Sequence, residues 1–221
     1  MTEILTNYIE WWPQLWAGLQ LTVGLTFVSM AVAIVIGIIV ALGQIHGAAR
    51  WARICAVVFV EFIRGTPLLL QLFYIFYVLP YFGVKLSPIV AGIAGLSINY
   101  GAYLSEVFRA GIESVEGGQW EAAQALGLRK TQFIPLVILP QAARLALPPT
   151  GNYFIAMFKD TALVSTISLG ELLFRGQLLA SENFKYTQIY TFIFIIYLAI
   201  SYPASRGVVL LERYLRRGRR A

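Results

Sequence analysis

The sequence predicts an all-α integral membrane protein with five transmembrane helices. Hydrophobic residues make up 58% of the 221-residue chain and charged residues only 13%, and long apolar runs recur along its length. Soluble chains contain roughly 25% charged residues, so this composition favours a lipid environment over water. The whole chain, residues 1–221, is predicted to form a single transmembrane domain.

Five apolar stretches are long enough to cross a hydrocarbon core of about 30 Å. The predicted spans are 19–42, 55–79, 88–108, 150–174 and 187–211, and the long interruption at 109–148 is predicted to lie outside the membrane. Aromatic residues dominate the segment before the first span, which is typical of a membrane interface.

The second predicted span contains unusual polar features. Pro67 removes a backbone hydrogen bond within the span and Gly65 loosens the same turn, which favours either a passive kink or a hinge with exposed backbone groups. Glu61 and Arg64 lie three residues apart, so they either neutralise each other or face a polar cavity. Both alternatives stay open.

Small residues and charges distinguish the third and fourth spans. Ala91 and Gly95 are spaced for close helix contact, and Glu106 can pair with Arg109 one turn away. A charged side chain near the bilayer centre costs about 3 kcal/mol, so Lys159 and Asp160 need partners or a cavity. Adjacent residues on a helix point about 100° apart, so these two cannot share one face.

The basic residues predict the orientation. Of the 17 Lys and Arg residues, two lie in the 46–54 loop, four in 109–148 and five in the tail, against three on the opposite side. By the positive-inside rule, the amino terminus is predicted to lie outside and the carboxyl terminus in the cytoplasm. The 109–148 segment is therefore predicted to be cytoplasmic.

Several classes of function are excluded. Cys55 is the sole cysteine, which excludes an intramolecular disulfide and a cysteine-based metal site, and no other metal site is predicted. A Ser–His–Asp triad would need the sole histidine, His46, which has no Ser or Asp nearby in the sequence. The positive residues form no interleaved basic and aromatic face, which argues against nucleic acid. We therefore predict that the chain is not an enzyme.

The polar stretch 117–140 has the chemistry of a docking segment. A short helix is predicted at 119–126, with Glu121 near its positive end and small residues that allow close approach to a partner. Gly127 is predicted to end it with a sharp turn. Further short helices are predicted at 131–139 and 141–147, separated at Pro140, and the segment is predicted to close at 148–149.

This stretch resembles the signature loop of permease subunits of ABC importers, whose pattern is Glu-Ala-Ala-x3-Gly-x9-Ile-x-Leu-Pro. The matching residues are Glu121, Ala122, Ala123, Gly127, Leu139 and Pro140, with Val137 in place of Ile. Three further stretches, at 62–69, 102–111 and 159–163, are similar to the polar amino acid branch of these permeases.

The resemblance implies a type I ABC importer permease fold and a dimer of permeases, identical or paralogous. It also implies a periplasmic solute-binding protein and a cytoplasmic ATPase dimer that carries ATP and Mg. This chain lacks GxxxxGK[ST] and is expected to bind no cofactor itself. The expected ATPase-coupling residues are Gly118, Glu121, Ala122, Ala123 and Gly127. The expected substrate-cavity residues are Asp160, Thr161, Arg64, Thr66 and Lys159.

The implied function is uptake of a polar amino acid by alternating access in a bacterial inner membrane. The alternatives are an ion-coupled secondary transporter and an importer of a related zwitterion or opine. Many secondary transporters contain internal repeats, and none is visible between residues 1–110 and 111–221. The sequence leaves open which solute is carried and whether Glu61, Arg64, Lys159 and Asp160 bind it or pair with one another.

Overall fold

The computed structural model describes residues 2–45 and 49–217. Within these ranges the chain forms helices joined by short connections and contains no β-strand, which confirms the all-α prediction. The α-helices are α1 (Thr2–Gln44), α2 (Arg50–Arg64), α3 (Leu68–Phe73), α4 (Pro88–Glu113), α5 (Gly117–Ala125), α6 (Lys130–Phe133), α7 (Leu139–Asp160), α8 (Leu172–Asn183) and α9 (Tyr186–Arg217). His46 lies outside the described residues.

Two π-helical and two 3-10 helical segments lie between or after these α-helices in the described residues. A π-helical turn (Tyr74–Val78) and a 3-10 turn (Leu79–Phe82) continue α3, and a second π-helical turn (Ile134–Ile138) joins α6 to α7. A 3-10 stretch (Thr161–Ile167) follows α7.

Two of the described helices are long and apolar enough to cross a membrane unaided: Asn7–Gln44 in α1 and Tyr186–Leu215 in α9. The pair Arg50–Arg64 and Leu68–Phe82 also qualifies if it is counted as one span, although its halves are bent by 102°. The helices α4 and α7, with 26 and 22 residues, have sufficient length but carry more polar side chains.

The core is built around α4. Its buried face, which includes Leu96 and Leu104, packs against α1 (Leu25, Ala33) and α3 (Leu72). A second cluster joins the amino-terminal half of α1 to α8 and α9. The central helix thus packs against α1, α2, α3 and α7, and these neighbours bury polar side chains of α4 such as Ser97 and Asn99.

The fourth predicted span, 150–174, is wrong in its bounds. Helix α7 begins at Leu139 and ends at Asp160, and residues 161–167 form the 3-10 stretch. Glu171, which the prediction placed inside this span, instead caps α8: its carboxylate accepts hydrogen bonds from the backbone N–H groups of Leu173 (2.9 Å) and Phe174 (2.7 Å). An N-cap carboxylate satisfies helix-start donors, so it marks the start of a new helix rather than the interior of a continuous span.

The 109–148 loop is correspondingly shorter than predicted, because α4 extends to Glu113 and α7 starts at Leu139. The predicted break at Pro140 is absent, because Ile138 and Leu139 keep helical dihedral angles and the chain continues from the π-helical turn directly into α7. The predicted closure at Pro148 and Pro149 is also wrong. Both lie inside α7, where a surrounding bundle can compensate for the lost bonds.

Close packing between α1 and α4 depends on Gly101. A Cβ atom at this position would lie 2.6 Å from Ile36 Cγ2 and 2.8 Å from Ile36 Cβ, so only glycine permits the observed approach. By contrast, a Cβ atom on Gly24 of α1 would meet nothing within 4 Å.

We predict that Gly101→Ala destabilises the bundle by about 1–3 kcal/mol, because α1 and α4 must move apart. The measurement is the thermal unfolding midpoint of the purified chain in detergent. Gly24→Ala is the matched control and should leave the midpoint unchanged or raise it slightly, since alanine favours helix. Equal midpoints for the two variants would contradict this packing account.

Candidate functional site

The second predicted span is broken at residues 65–67. Helix α2 ends at Arg64 and Pro67 caps α3 in an extended conformation, with the two helices bent by 102°. Proline cannot continue the α2 hydrogen-bond ladder, and the residue before it is pushed out of the helical region. The break therefore follows directly from the Gly65-Thr66-Pro67 sequence.

Gln71 satisfies the backbone groups that this break leaves without helical partners. Its Nε2 lies 2.8 Å from the carbonyl oxygen of Ile63 and 2.8 Å from the hydroxyl of Thr66, and its Oε1 accepts a hydrogen bond from Asn99 Nδ2 (3.0 Å). The Thr66 hydroxyl is also 3.0 Å from the carbonyl oxygen of Phe62. One side chain from α3 thus ties the end of α2 to α4.

A polar cavity of about 520 Å³ opens beside this break; we call it the first chamber. It is lined by the bend, by α4 and by the last part of α7. Its polar and charged lining residues are Arg64, Thr66, Asn99, Tyr100, Tyr103, Tyr153 and Asp160. The volume falls within the range of roughly 300–1,000 Å³ that is typical of small-molecule sites.

Three predicted cavity residues, Arg64, Thr66 and Asp160, line the first chamber together. Asp160 is half-buried, and its Oδ2 accepts a hydrogen bond of 2.7 Å from the hydroxyl of Tyr100. This bond orients the carboxylate at the end of α7. The chamber therefore presents a cation from α2 and an anion from α7.

Lys159 and Thr161 do not line the first chamber, contrary to expectation. Lys159 precedes Asp160 on α7 and is exposed, because consecutive helical residues point about 100° apart. Thr161 begins the 3-10 stretch and is fully buried, and its hydroxyl donates to the carbonyl oxygen of Phe158 (2.7 Å). The structure assigns Thr161 to the core.

Sequence reasoning missed several lining residues and the residue that supports the break: Gln71, Asn99, Tyr100, Tyr103 and Tyr153. A signal existed for two of them. Asn99 and Tyr103 are spaced four apart, so they lie on one face of the third predicted span. Their polarity within an apolar segment could have indicated a cavity face.

A second chamber of about 450 Å³ adjoins the first and shares Arg64, Tyr103 and Tyr153 with it. It extends to the end of α4, where Glu106 and Arg109 line it. Arg109 donates to Glu106 from Nη2 (2.8 Å) and Nε (3.3 Å), so the predicted pairing of these residues is confirmed.

The other open alternative, an ion pair between Glu61 and Arg64, is absent from the described part of the chain. Arg64 Nη1 instead lies 3.7 Å from Glu106 Oε2. Its guanidinium also lies 5.3 Å from the ring centroid of Tyr103, within range of a cation–π interaction.

Arg109 lies just beyond the third predicted span and keeps its charge. Its hydrogen bonds to Glu106 and then to Glu113 outweigh the effect of partial burial and raise the pKa of the guanidinium above its usual value. The group at the end of the second chamber is thus a permanent cation with two carboxylate partners.

The short helix predicted at 119–126 is present as α5. It starts two residues earlier than predicted, at Gly117, so Glu121 falls in its second turn and the helix macrodipole favours its charge less than expected. Gly118, Glu121 and Ala122 are exposed, whereas Ala123 is buried against the protein. The ring of Trp120 packs edge-on against Phe133 at 5.2 Å and holds the helix in place.

Gly127 ends α5 in the predicted manner. It has a positive φ of 69°. Its N–H bonds the carbonyl oxygen of Gln124 (2.9 Å), while the N–H of Leu128 bonds that of Ala123 (3.1 Å). This left-handed helix end strongly favours glycine. The resulting surface exposes Glu121 and the small residues Gly118 and Ala122 together with Leu126, which is 77% exposed.

Among the described residues, no cluster of three or more His, Cys, Asp or Glu side chains could hold a metal ion. Cys55 is exposed and forms no disulfide. The arrangement can bind and pass a small polar molecule by charge and hydrogen bonding.

The cavity of mixed charge lies between α2, α4 and α7 in a bundle that also contains two long apolar helices, and this arrangement suits a membrane permease. The family described as binding-protein-dependent transport system inner membrane component matches residues 33–217. Because this match covers most of the chain, the protein belongs to that family, and the predicted resemblance to importer permeases is confirmed.

The chain is also similar to curated permeases along nearly its full length. It is 40% identical to the L-cystine transport system permease protein TcyB of Bacillus subtilis over 94% of this chain and 89% of that one. It is 35% identical to the glutamine transport system permease protein GlnP of Escherichia coli over 92% and 94% of the two chains.

Solved structures show the same fold. An amino acid ABC transporter crystallised with histidines has a TM-score of 0.88 at 35% identity, covering 95% of this chain and 97% of that one. An inward-facing MetNI methionine ABC transporter has a TM-score of 0.77 at 20% identity, covering 91% and 96%, and at that identity it supports the fold alone. The type I permease fold predicted from the sequence is therefore confirmed.

We predict that Gln71→Leu destabilises the protein by about 1–3 kcal/mol, because it removes the hydrogen bonds that the Gln71 amide donates to the carbonyl oxygens of Ile63 and Thr66 at the break. Hydrogen–deuterium exchange at the Gly65 and Thr66 amides should accelerate, and the thermal midpoint should fall. Gln20→Leu, at an exposed position of α1, is the control and should change neither quantity. Unchanged exchange in the Gln71 variant would show that the break does not need this side chain.

Proposed function

We propose that this chain is the permease subunit of an ATP-driven importer for a polar amino acid. The observation that carries the proposal is the first chamber, which presents Arg64 and Asp160 to one cavity. An amino acid has a carboxylate and an ammonium group, and charge-assisted hydrogen bonds to both would fix its orientation. The names of the relatives, which include cystine and glutamine permeases, support this class of cargo.

In this proposal Arg64 receives the carboxylate of the cargo and Asp160 its ammonium group. Tyr100 keeps the Asp160 carboxylate aimed through its 2.7 Å hydrogen bond, and the Thr66 hydroxyl at the break offers a further polar contact. These groups recognise the part that all amino acids share. Arginine, histidine, glutamine, glutamate, cystine and opine-like compounds all satisfy them.

The partner at α5 is proposed to be a cytoplasmic ATPase, which acts as a pair and supplies ATP and Mg. The exposed face of α5 supports this, since Glu121 can pair with a partner cation while Ala122 permits close approach and Leu126 adds apolar contact. A second permease subunit, identical or paralogous, and a periplasmic solute-binding protein complete the proposed complex. ATP hydrolysis belongs to the separate ATPase chain.

The proposed membrane arrangement follows the distribution of basic residues. Five spans, including the buried helices α4 and α7, place the amino terminus in the periplasm and α5 with the carboxyl terminus in the cytoplasm. In the proposed cycle, closure of the ATPase pair moves α5, the bundle opens outward, and the binding protein delivers cargo to the first chamber. Reopening toward the second chamber then leads the cargo to the cytoplasm.

Reconstitution into proteoliposomes tests this function. The assembled complex should take up at least one labelled L-amino acid only when ATP and the binding protein are both present. In that assay, Asp160→Asn should weaken apparent affinity by about tenfold or more, because a charged hydrogen bond is lost while the Tyr100 contact is kept.

Lys159→Gln is the control for this variant, since it removes the neighbouring charge, which lies outside the first chamber. It should transport like the unmodified protein. Uptake driven by an ion gradient without the ATPase would refute the importer proposal. Loss of complex assembly by Asp160→Asn would instead assign the carboxylate a structural role.

For α5, we expect Glu121→Lys to insert and assemble normally but to lower ATP-driven uptake by about tenfold or more, because a docking charge is reversed. Parallel assays of ATP hydrolysis and uptake measure the loss of coupling. Glu182→Lys reverses an exposed charge on α8, outside the proposed docking segment, and should have little effect. Full uptake by the Glu121 variant would remove α5 as the coupling surface.

A further inference from the structure

Arg64 stands at the junction of the two chambers. It is the last residue of α2, directly before the break, and it lines both cavities. Its side chain is 41% exposed, so it is neither locked into the core nor free in solvent. A long cation in this position can turn toward either chamber.

The acceptor on the second-chamber side is Glu106. Arg109 holds this carboxylate through two hydrogen bonds, of 2.8 and 3.3 Å, and is itself fixed by Glu113 at 2.7 Å. Glu106 is therefore a stationary anion. Its 3.7 Å separation from Arg64 exceeds hydrogen-bond length, so this contact is the weakest member of the network and the easiest to exchange.

We propose that Glu106 is a positioning residue that competes with the carboxylate of the cargo for Arg64. This inference rests on the proposed function, because it assigns the carboxylate of the amino acid to Arg64. When cargo occupies the first chamber, Arg64 pairs with it; when Arg64 turns back to Glu106, the cargo loses its strongest contact and is released toward the second chamber.

The physical reason for such a competitor is the cost of an unpaired charge. A guanidinium inside a membrane protein is expensive without a partner. Without Glu106, release of the cargo would strand Arg64, and the cargo would be held more tightly. A fixed alternative partner makes the bound and empty states similar in electrostatic energy, which favours turnover.

Retention of labelled amino acid by the assembled transporter, without binding protein, tests the competition. The probes are L-glutamine and L-cystine, each paired with its decarboxylated amine, and the variant is Glu106→Gln. It should retain the amino acids about three- to fivefold more tightly than the unmodified protein, the size expected for a partly exposed ion pair, while turnover slows. Retention of the amines should not change.

Glu113→Gln is the matched control. It also removes a carboxylate partner of Arg109, but Glu113 forms no ion pair with Arg64 among those of the described residues. It should retain all four probes as the unmodified protein does. Equal retention by the Glu106 and Glu113 variants, or tighter retention of the amines, would overturn the competition while ATP-driven amino acid uptake still stands.

Absence of ATP-driven uptake of every L-amino acid by the unmodified complex would overturn the proposed function and the competition together, so the two failures are distinguishable. If Glu106→Gln does not assemble, Arg64→Gln replaces it. That variant should retain an amino acid and its amine equally, because the carboxylate-binding cation is gone. A persistent preference for the carboxylate would overturn the inference.

Discussion

The break at Gly65-Thr66-Pro67 is the constraint on which the rest of the site depends. A helix interrupted in apolar surroundings exposes backbone groups that must find partners within the protein. Gln71 supplies them at the end of α2 and reaches Asn99 on α4 at the same time. The same side chain therefore satisfies the backbone groups at the break and connects the two helices that form the cavity wall. Its hydrogen bonds fix the end of α2, where Arg64 and Thr66 lie.

Charge pairing imposes the next constraint. The charged side chains of the bundle pair either within one helix or between two helices, and a pair of the second kind also fixes the position of one helix against another. Arg109 holds Glu106 within α4, while Arg64 brings α2 toward the same carboxylate. On the opposite wall, Tyr100 of α4 holds Asp160 of α7. The polar cavity is thus bounded by contacts that also hold the helices together.

Composition and motif spacing were sufficient to predict the all-α membrane fold, the family and the presence of the short helix α5. They also indicated Arg64, Thr66 and Asp160 as cavity residues, because charged and polar side chains are rare in apolar spans, and all three line the first chamber. Span boundaries were harder. An apolar window could not distinguish the 3-10 stretch after Asp160 from a continuing helix, since both bury their side chains.

Other errors had a similar physical origin. Glu171 is fully buried, as a span residue would be, and only its hydrogen bonds identify it as a helix cap. The aromatic lining residues Tyr100, Tyr103 and Tyr153 were missed because a tyrosine in an apolar span also suits the bundle core or the interface. Which helix approaches Gly101 was also beyond the sequence, since a small residue indicates close contact without naming the neighbour.

Helix α7 has a mechanical consequence. Its 22 residues span about 33 Å at 1.5 Å per residue and run without interruption from the π-helical turn after α6 to Asp160. Helix α7 thus connects the region of α6 to the cavity anion as one continuous helix. Pro148 and Pro149 are its most compliant step, because two successive backbone donors are missing there. A small displacement of the Leu139 end of α7 therefore tilts the Asp160 end. During this movement the helix bends at Pro148 and Pro149, where the two pyrrolidine rings are located.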